Sequence, residues 1–444
     1  MSPRRADDWK MHPRRPKFNP FPPPRPAPNL RETRFVPCRR PVAMTGTRPA
    51  PARPQAAAEA VAGWLLREAR DLPDSRSVVG GLCRRLAADG FPVCRLFIST
   101  RTLHPQVIAI GYQWRRGDAD ATEAPREHGI LESPLYLASP IKPIFDGAPA
   151  VRRRLEAPDT PLDFPILAEL RAEGVTDYVA LPLPFSQGRM NVLTLATDRP
   201  GGFTDAELAA FIELMPLLAL VLEVKETKRM AGTLLDTYLG RDAGRRVLGG
   251  LVRRGDGVTL AAALLYSDLR GFTALADRLP GDQVIDLLND YFECMAAAIH
   301  ARGGAILKFI GDAVLAIFPM ADDLDRDRAC LAALAAAQEA LAAIDAANER
   351  RAAAGRARID LGLALHTGSV TYGNIGAPDR LDFTVIGPAV NLVTRIEGLC
   401  VTLGQRLLTS ARFASPCGLR LVSLGFHRLR GIAEAQEVFG LPDA

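Results

Sequence analysis

The chain has 444 residues, 48% hydrophobic and 24% charged, with a formal net charge of +5, which suits a globular protein of two or three domains. No apolar run reaches the roughly 18 residues that a membrane span needs; the nearest, residues 208–224, contains Glu213, Pro216 and Glu223, and the Pro- and Arg-rich N-terminus lacks the apolar segment of a signal peptide. A cytoplasmic protein without a membrane span is therefore expected, and seven scattered cysteines, odd in number and never spaced as CxxC, exclude a disulfide framework and a zinc site.

Residues 1–55 hold 13 Lys/Arg against 3 Asp/Glu, a balance of +10 that leaves −5 for residues 56–444. Such a tail can attract nucleic acid or anionic lipid. Alternating proline and arginine with little to bury also describes a disordered arm, and no nucleic-acid partner is inferred from it.

Residues 56–225 open with helical patterns at 57–71 and 77–89, followed by strand-like runs at 93–99 and 106–112 and a long polar loop around 115–130. Two more strands, 178–185 and 190–197, flank the turn Ser186-Gln187-Gly188-Arg189. Phe203-Thr204-Asp205-Ala206-Glu207 then starts a helix whose Leu208, Phe211, Met215, Leu218 and Leu222 follow the steps of three and four of a packing seam. The stretch GVTDYVALPLPFSQGRMNVLTLATDRPGGFTDAEL, residues 174–208, resembles a GAF-like sensory domain. That resemblance implies an α/β regulatory domain over 56–225 with a pocket for a small-molecule or protein regulator. Trp114, His128 and Tyr136 lie where such a pocket forms, although each also reads as a structural aromatic or surface residue. Residues 226–257 form a polar, helix-prone connector ending in a glycine-rich break, either a transmitter between domains or a spacer.

Residues 258–444 alternate strands and helices: a strand at 258–266, helices at 274–279 and 282–301, and a hairpin over 305–318. An Ala-rich helix covers 325–354, strands at 359–366 and 382–386 precede a helix at 388–403, and weaker strands lie near 420–429 and 436–441. This order predicts an α+β domain with helices over one sheet.

Four features stand out. In YSDLRGFT, residues 266–273, Asp268 ends an apolar strand and the residues through Phe272 and Thr273 open a helix, so a carboxylate stands beside free N–H groups, as metal–phosphate binding requires; a plain capping aspartate has the same pattern. In KFIGDAVLAIF, residues 308–318, Gly311-Asp312 is a turn signal, and Asp312 brought near Asp268 would form a divalent-metal pair. Asn391 and Arg395, four apart on one helix, can orient a sugar oxygen and neutralise phosphoryl charge, or simply form a solvated face. Lys308 and Thr384 interrupt apolar strands, where a lysine must pair, reach a ligand acceptor, or snorkel at a sheet edge.

Together these motifs, with HTGSVTYGNIG at 366–376 and DFTVIGPAVNLVTRIE at 382–397, resemble the catalytic domain of the class III nucleotidyl cyclases. The resemblance implies an α+β fold, a ferredoxin-like βαββαβ core, preceded by the GAF-like domain. It makes Asp268, Asp312 and the Leu269 carbonyl ligands of two Mg²⁺ or Mn²⁺ ions, and Lys308 and Thr384 the residues that read adenine. Asn391 and Arg395 become transition-state residues, and Arg430 a triphosphate-binding cation. Threonine at 384, where many members carry aspartate, resembles the subgroup related to bicarbonate-responsive cyclases, and a hydroxyl both donates and accepts. Lysine in place of the glutamate of guanylyl cyclases argues for ATP. The family's sites are shared between two chains, which implies a head-to-tail homodimer. The alternatives are a guanylate cyclase and a degenerate domain that only dimerises.

Overall fold

A computed structural model describes residues 54–320 and 323–442 and divides into two units, 1–228 and 229–444. The basic tail expected at 1–55 lies, but for its last two residues, outside the described residues.

The first unit is a six-stranded antiparallel sheet of β1 (Arg95–Arg101), β2 (Val107–Arg115), β3 (Thr122–Glu127), β4 (Val151–Arg154), β5 (Asp177–Pro184) and β6 (Met190–Thr197), ordered β3-β2-β1-β6-β5-β4. Strand alternation gives it two unlike faces. Leu96, Ile98, Tyr112 and Trp114 point to one, where helices Pro54–Arg67, Ser75–Ala88 and Asp205–Leu239 bury them with Trp64, Leu82, Phe211 and Leu218. The predicted seam from Leu208 to Leu222 therefore packs on this sheet. Arg95, Phe97, Ser99 and Arg101 occupy the opposite face of β1. There the helices Ile141–Phe145 and Pro165–Ala172 bury Ile144, Leu167 and Leu170 against Tyr178 and Val192.

The polar loop expected around 115–130 instead contains β3, paired with β2 from Val107 to Gln113. An edge strand needs no buried side of its own and tolerates Pro125, so its sequence lacks the apolar alternation that marks the inner strands.

The second unit is an eight-stranded sheet of β7 (Gly257–Leu269), β8 (Ala305–Ile310), β9 (Ala313–Met320), β10 (Leu361–Ala377), β11 (Arg380–Ile386), β12 (Leu407–Ser410), β13 (Val422–His427) and β14 (Gln436–Gly440). Its order is β13-β14-β12-β10-β7-β9-β8, with β11 paired to β10. Helix Gly281–Ala301 links β7 to β8, and helix Asp323–Ala353 links β9 to β10. The four strands β10-β7-β9-β8 are mutually antiparallel neighbours, so the βαββαβ core is present.

Alternate residues of β7 pack on opposite faces, Ala263 and Leu265 beneath these two helices, Ala262 and Leu264 against helix Pro388–Glu397. Helices thus cover both faces of the one sheet expected. Small side chains at Ala333, Ala336, Ala337 and Ala340, all fully buried, let the long helix lie close on the sheet. By length and composition one helix among the described residues, Asp325–Ala353, is long and apolar enough to cross a membrane, where none was expected and residues 208–224 came nearest; half of its most apolar window is buried inside the unit.

Two further expectations change. The strand predicted to stop at His366 runs to Ala377, because the glycines of the 366–376 motif serve close approach rather than chain breaks: a Cβ on Gly373 would fall on the Asp256 carbonyl just before β7. The helix predicted over 388–403 ends at Glu397, with Gly398 starting a separate turn, and β12 follows unpredicted.

His366 is buried on β10 with its Nδ1 2.7 Å from the Ser410 hydroxyl. Burial, aided by Arg412, pushes its imidazole down from 6.5 to about 4. Between these values the unfolded chain takes up a proton that the folded chain refuses, so stability is lost as pH falls from 6.5 towards 4 and levels off below. At about 1.4 kcal/mol per unit, this amounts to about 3 kcal/mol. In thermal melts of the second unit at pH 7.5 and 4.5, His366→Gln is expected to lose clearly less stability than the parent; equal losses would contradict this assignment.

Candidate active site

Asp268 sits at the end of β7 because the buried run 262–265 fixes the strand and the register sets Asp268 opposite Ala313, the first residue of β9. Gly311, at φ +64°, makes the left-handed turn that places Asp312 just before Ala313. The two expected acids therefore meet, and their side chains share a hydrogen bond. Burial first, and then the Asp312 charge, push the Asp268 carboxyl up. Tyr266 is raised to about 12 by burial and by the same acids.

This pair suits divalent cations. Two carboxylates held together repel unless a proton or a metal stands between them. Among the described residues no third His, Cys, Asp or Glu completes a metal-ligating group. Backbone oxygen such as the Leu269 carbonyl, water and substrate phosphate would fill the remaining positions, the ligand set that Mg²⁺ accepts. Phe272 and Thr273 open the helix Phe272–Ala276 directly after Asp268, with Gly271 at φ +67° turning the chain into it. Phe272 packs on the core while Thr273 is exposed.

Behind the acids lies Glu397, which sequence reasoning missed. It is buried, and burial together with Asp268 and Asp312, partly offset by Arg270, raises its carboxyl to about 7. A Cβ on Gly362, the residue opposite Asp268 on β10, would collide with the Glu397 carboxylate. The available signal was an acid on the apolar helix stripe of Val393, Ile396 and Cys400.

Lys308 is partly exposed on β8, just past a register shift after Ile306. Its ammonium forms an ion pair with Asp382 of β11, not with Thr384. Asp382 and Thr384, two apart on one strand, share a face, so Thr384 lies one step along from the pair. Asp382 was missed because, as the first residue of the predicted strand 382–386, it carries no local sign of the lysine 74 positions earlier with which it pairs.

Asn391 and Arg395 are both exposed on helix Pro388–Glu397, opposite the buried Val393 and Ile396. Neither side chain has a hydrogen-bond or ion-pair partner among the described residues. Arg430 stands exposed just after the buried Leu429. Of the three residues considered for a regulatory pocket, Tyr136 lines a cavity of the first unit. Trp114 is instead buried in the core on the other face, and His128 is exposed, bonding the His104 carbonyl at 3.0 Å.

Residues 258–410 match the family described as the adenylate and guanylate cyclase catalytic domain. The chain is 39% identical over 154 residues to an adenylate cyclase of Anabaena cylindrica, covering 34% of this chain and 29% of that one. It is 28% identical over 179 residues to adenylate cyclase 1 of Rhizobium meliloti, covering 39% and 26%. It therefore spans less than a third of either relative's length. A crystal structure of an adenylyl cyclase from P. aeruginosa shares 26% identity and a TM-score of 0.39, over 43% of this chain and 97% of that one.

Proposed function

With residues 258–410 forming an adenylate and guanylate cyclase catalytic domain, we propose that the chain is an adenylate cyclase that turns ATP into 3′,5′-cyclic AMP and pyrophosphate. The observation that carries this reading is the meeting of Asp268 and Asp312 at the end of β7, inside the matched region. These two carboxylates and the Leu269 carbonyl hold the divalent cations, Mg²⁺ or Mn²⁺, two per site. When bound, such ions lower the pKa of the ribose 3′-hydroxyl and offset charge on the departing pyrophosphate.

The chain's own residues do the rest. Lys308, held by Asp382, and Thr384 read the adenine edge. Asn391 orients the ribose, Arg395 neutralises the α-phosphoryl group, and Phe272, Thr273 and Arg430 contact the triphosphate. The 3′-oxygen attacks the α-phosphorus, the bond to the β-phosphate oxygen breaks, and the hydroxyl proton passes to water. Asn391 and Arg395 face outward without partners among the described residues, which supports a homodimer in which each chain lends them to the other's acids. The first unit, with its two-faced six-stranded sheet, is the GAF-like module that regulates turnover. Incubating the purified chain with ATP and Mg²⁺ or Mn²⁺ is expected to release cyclic AMP and pyrophosphate in equal amounts, and to stop on chelation. A folded chain that forms no cyclic product would overturn this reading.

A further inference from the structure

We propose that the first unit binds a small organic carboxylate with an apolar body, held between the arginine-bearing face of its sheet and the helices Ile141–Phe145 and Pro165–Ala172. A cavity of about 290 Å³ lies there, at the small end of ligand pockets. Strand pairing builds its floor. Arg101 of β1 faces Ala109 of β2, which faces Arg126 of β3, so two guanidinium-bearing positions flank one short side chain across three adjacent strands. Arg95 and Ser99 share that face of β1. Phe97, Tyr136, Ile141 and Phe145 supply apolar wall.

The charge on this wall is unbalanced. Three arginines line the cavity against one carboxylate, Glu169, which is exposed. Among the described residues Arg95, Arg101 and Arg126 form no ion pair: Arg95 bonds the Gln113 amide oxygen at 3.0 Å, and Arg101 lies 4.7 Å from the Phe145 ring centre. Glu173, paired with Arg115, reaches Arg95 only as a nearby charge. Guanidinium groups partly removed from water and left without an ion-pair partner are costly, and their planar fork matches a carboxylate. An aromatic or aliphatic body beside them would fill the apolar wall, which inorganic anions cannot do. This deepens the regulatory reading of the first unit by naming its ligand class. Binding is measured without turnover, so a failure here and a failure of the cyclase reading are separate results.

Calorimetric titration of the full chain would use indole-3-acetate and hexanoate beside their neutral amides, with inorganic phosphate as a third arm. At least one acid is expected to bind saturably and about tenfold or more tighter than its amide and than phosphate. Arg101→Gln and Arg126→Gln are expected to erase the preference for the acid, and Ala138→Trp, at an exposed lining position, to block binding without changing charge. Melting temperatures without ligand establish that each variant folds. Equal binding of acid and amide, phosphate binding as tightly as the acids, no saturable binding, or an unchanged preference in the folded arginine variants would each overturn the proposal.

Discussion

Asp312→Asn is expected to lower turnover by on the order of 10³-fold, and, without divalent cation, to leave the second unit more stable than the parent. Both effects come from one cause. The Asp268 carboxyl is raised in the folded chain by burial and by Asp312, so it lowers stability as pH rises through its folded value, and that loss is present at neutral pH. Removing the Asp312 charge relieves the repulsion, and the difference from the parent should vanish in acid, where the carboxyls are protonated. Adding Mn²⁺ should raise the parent's melting temperature and leave the variant's nearly unchanged. A variant that is less stable in chelator at pH 7 would contradict the electrostatic account of the pair.

Arg395→Ala should fail for a different reason, since its guanidinium is exposed and has no partner among the described residues that would tie it to its own chain's fold. Mixed with Asp312→Asn, it is expected to restore roughly a quarter of parental activity: about half the dimers are mixed, and each carries one intact site of two. No recovery, with both proteins folded and exchanging, would contradict the shared site.

Lys308→Met is expected to reduce kcat/KM for ATP by on the order of 10–100-fold, the range for losing a hydrogen bond from a charged donor. Asp382→Asn should produce a smaller loss, mainly in KM, because the ammonium stays but loses the carboxylate that holds it. Competition assays with ATP and GTP distinguish positioning from simple folding damage: both variants should shift relative preference away from ATP. Unchanged preference in Lys308→Met would remove Lys308 from base recognition.

How far the chain could be read depended on whether a residue's neighbours were local. Strand β6 and the helices flanking β8 and β9 were legible because their apolar periodicity is a property of the segment itself. Asp268, Asp312 and Lys308 stood out because charge interrupts apolar strands there. Strand β3 was not legible, since an edge strand carries no inward alternation, and the second half of β10 was hidden because its glycines answer a neighbouring chain segment. The Asp382 partnership spans 74 residues, and Glu397 meets Gly362, 35 residues away, and the charges of Asp312 and Asp268, 85 and 129 away, none of which a local pattern encodes. The arginines of the first unit were invisible for the same reason: alternation along β1 implies a shared face, but only pairing with β2 and β3 shows that Arg101 and Arg126 border one cavity.

The central claim, adenine-directed cyclisation, is tested most directly by product analysis of the full chain given equal ATP and GTP with Mn²⁺. Cyclic AMP released with one pyrophosphate each, in clear excess over cyclic GMP, is the predicted result. Cyclic GMP formed at a comparable or greater rate, or ATP left uncyclised by the folded chain, would contradict it.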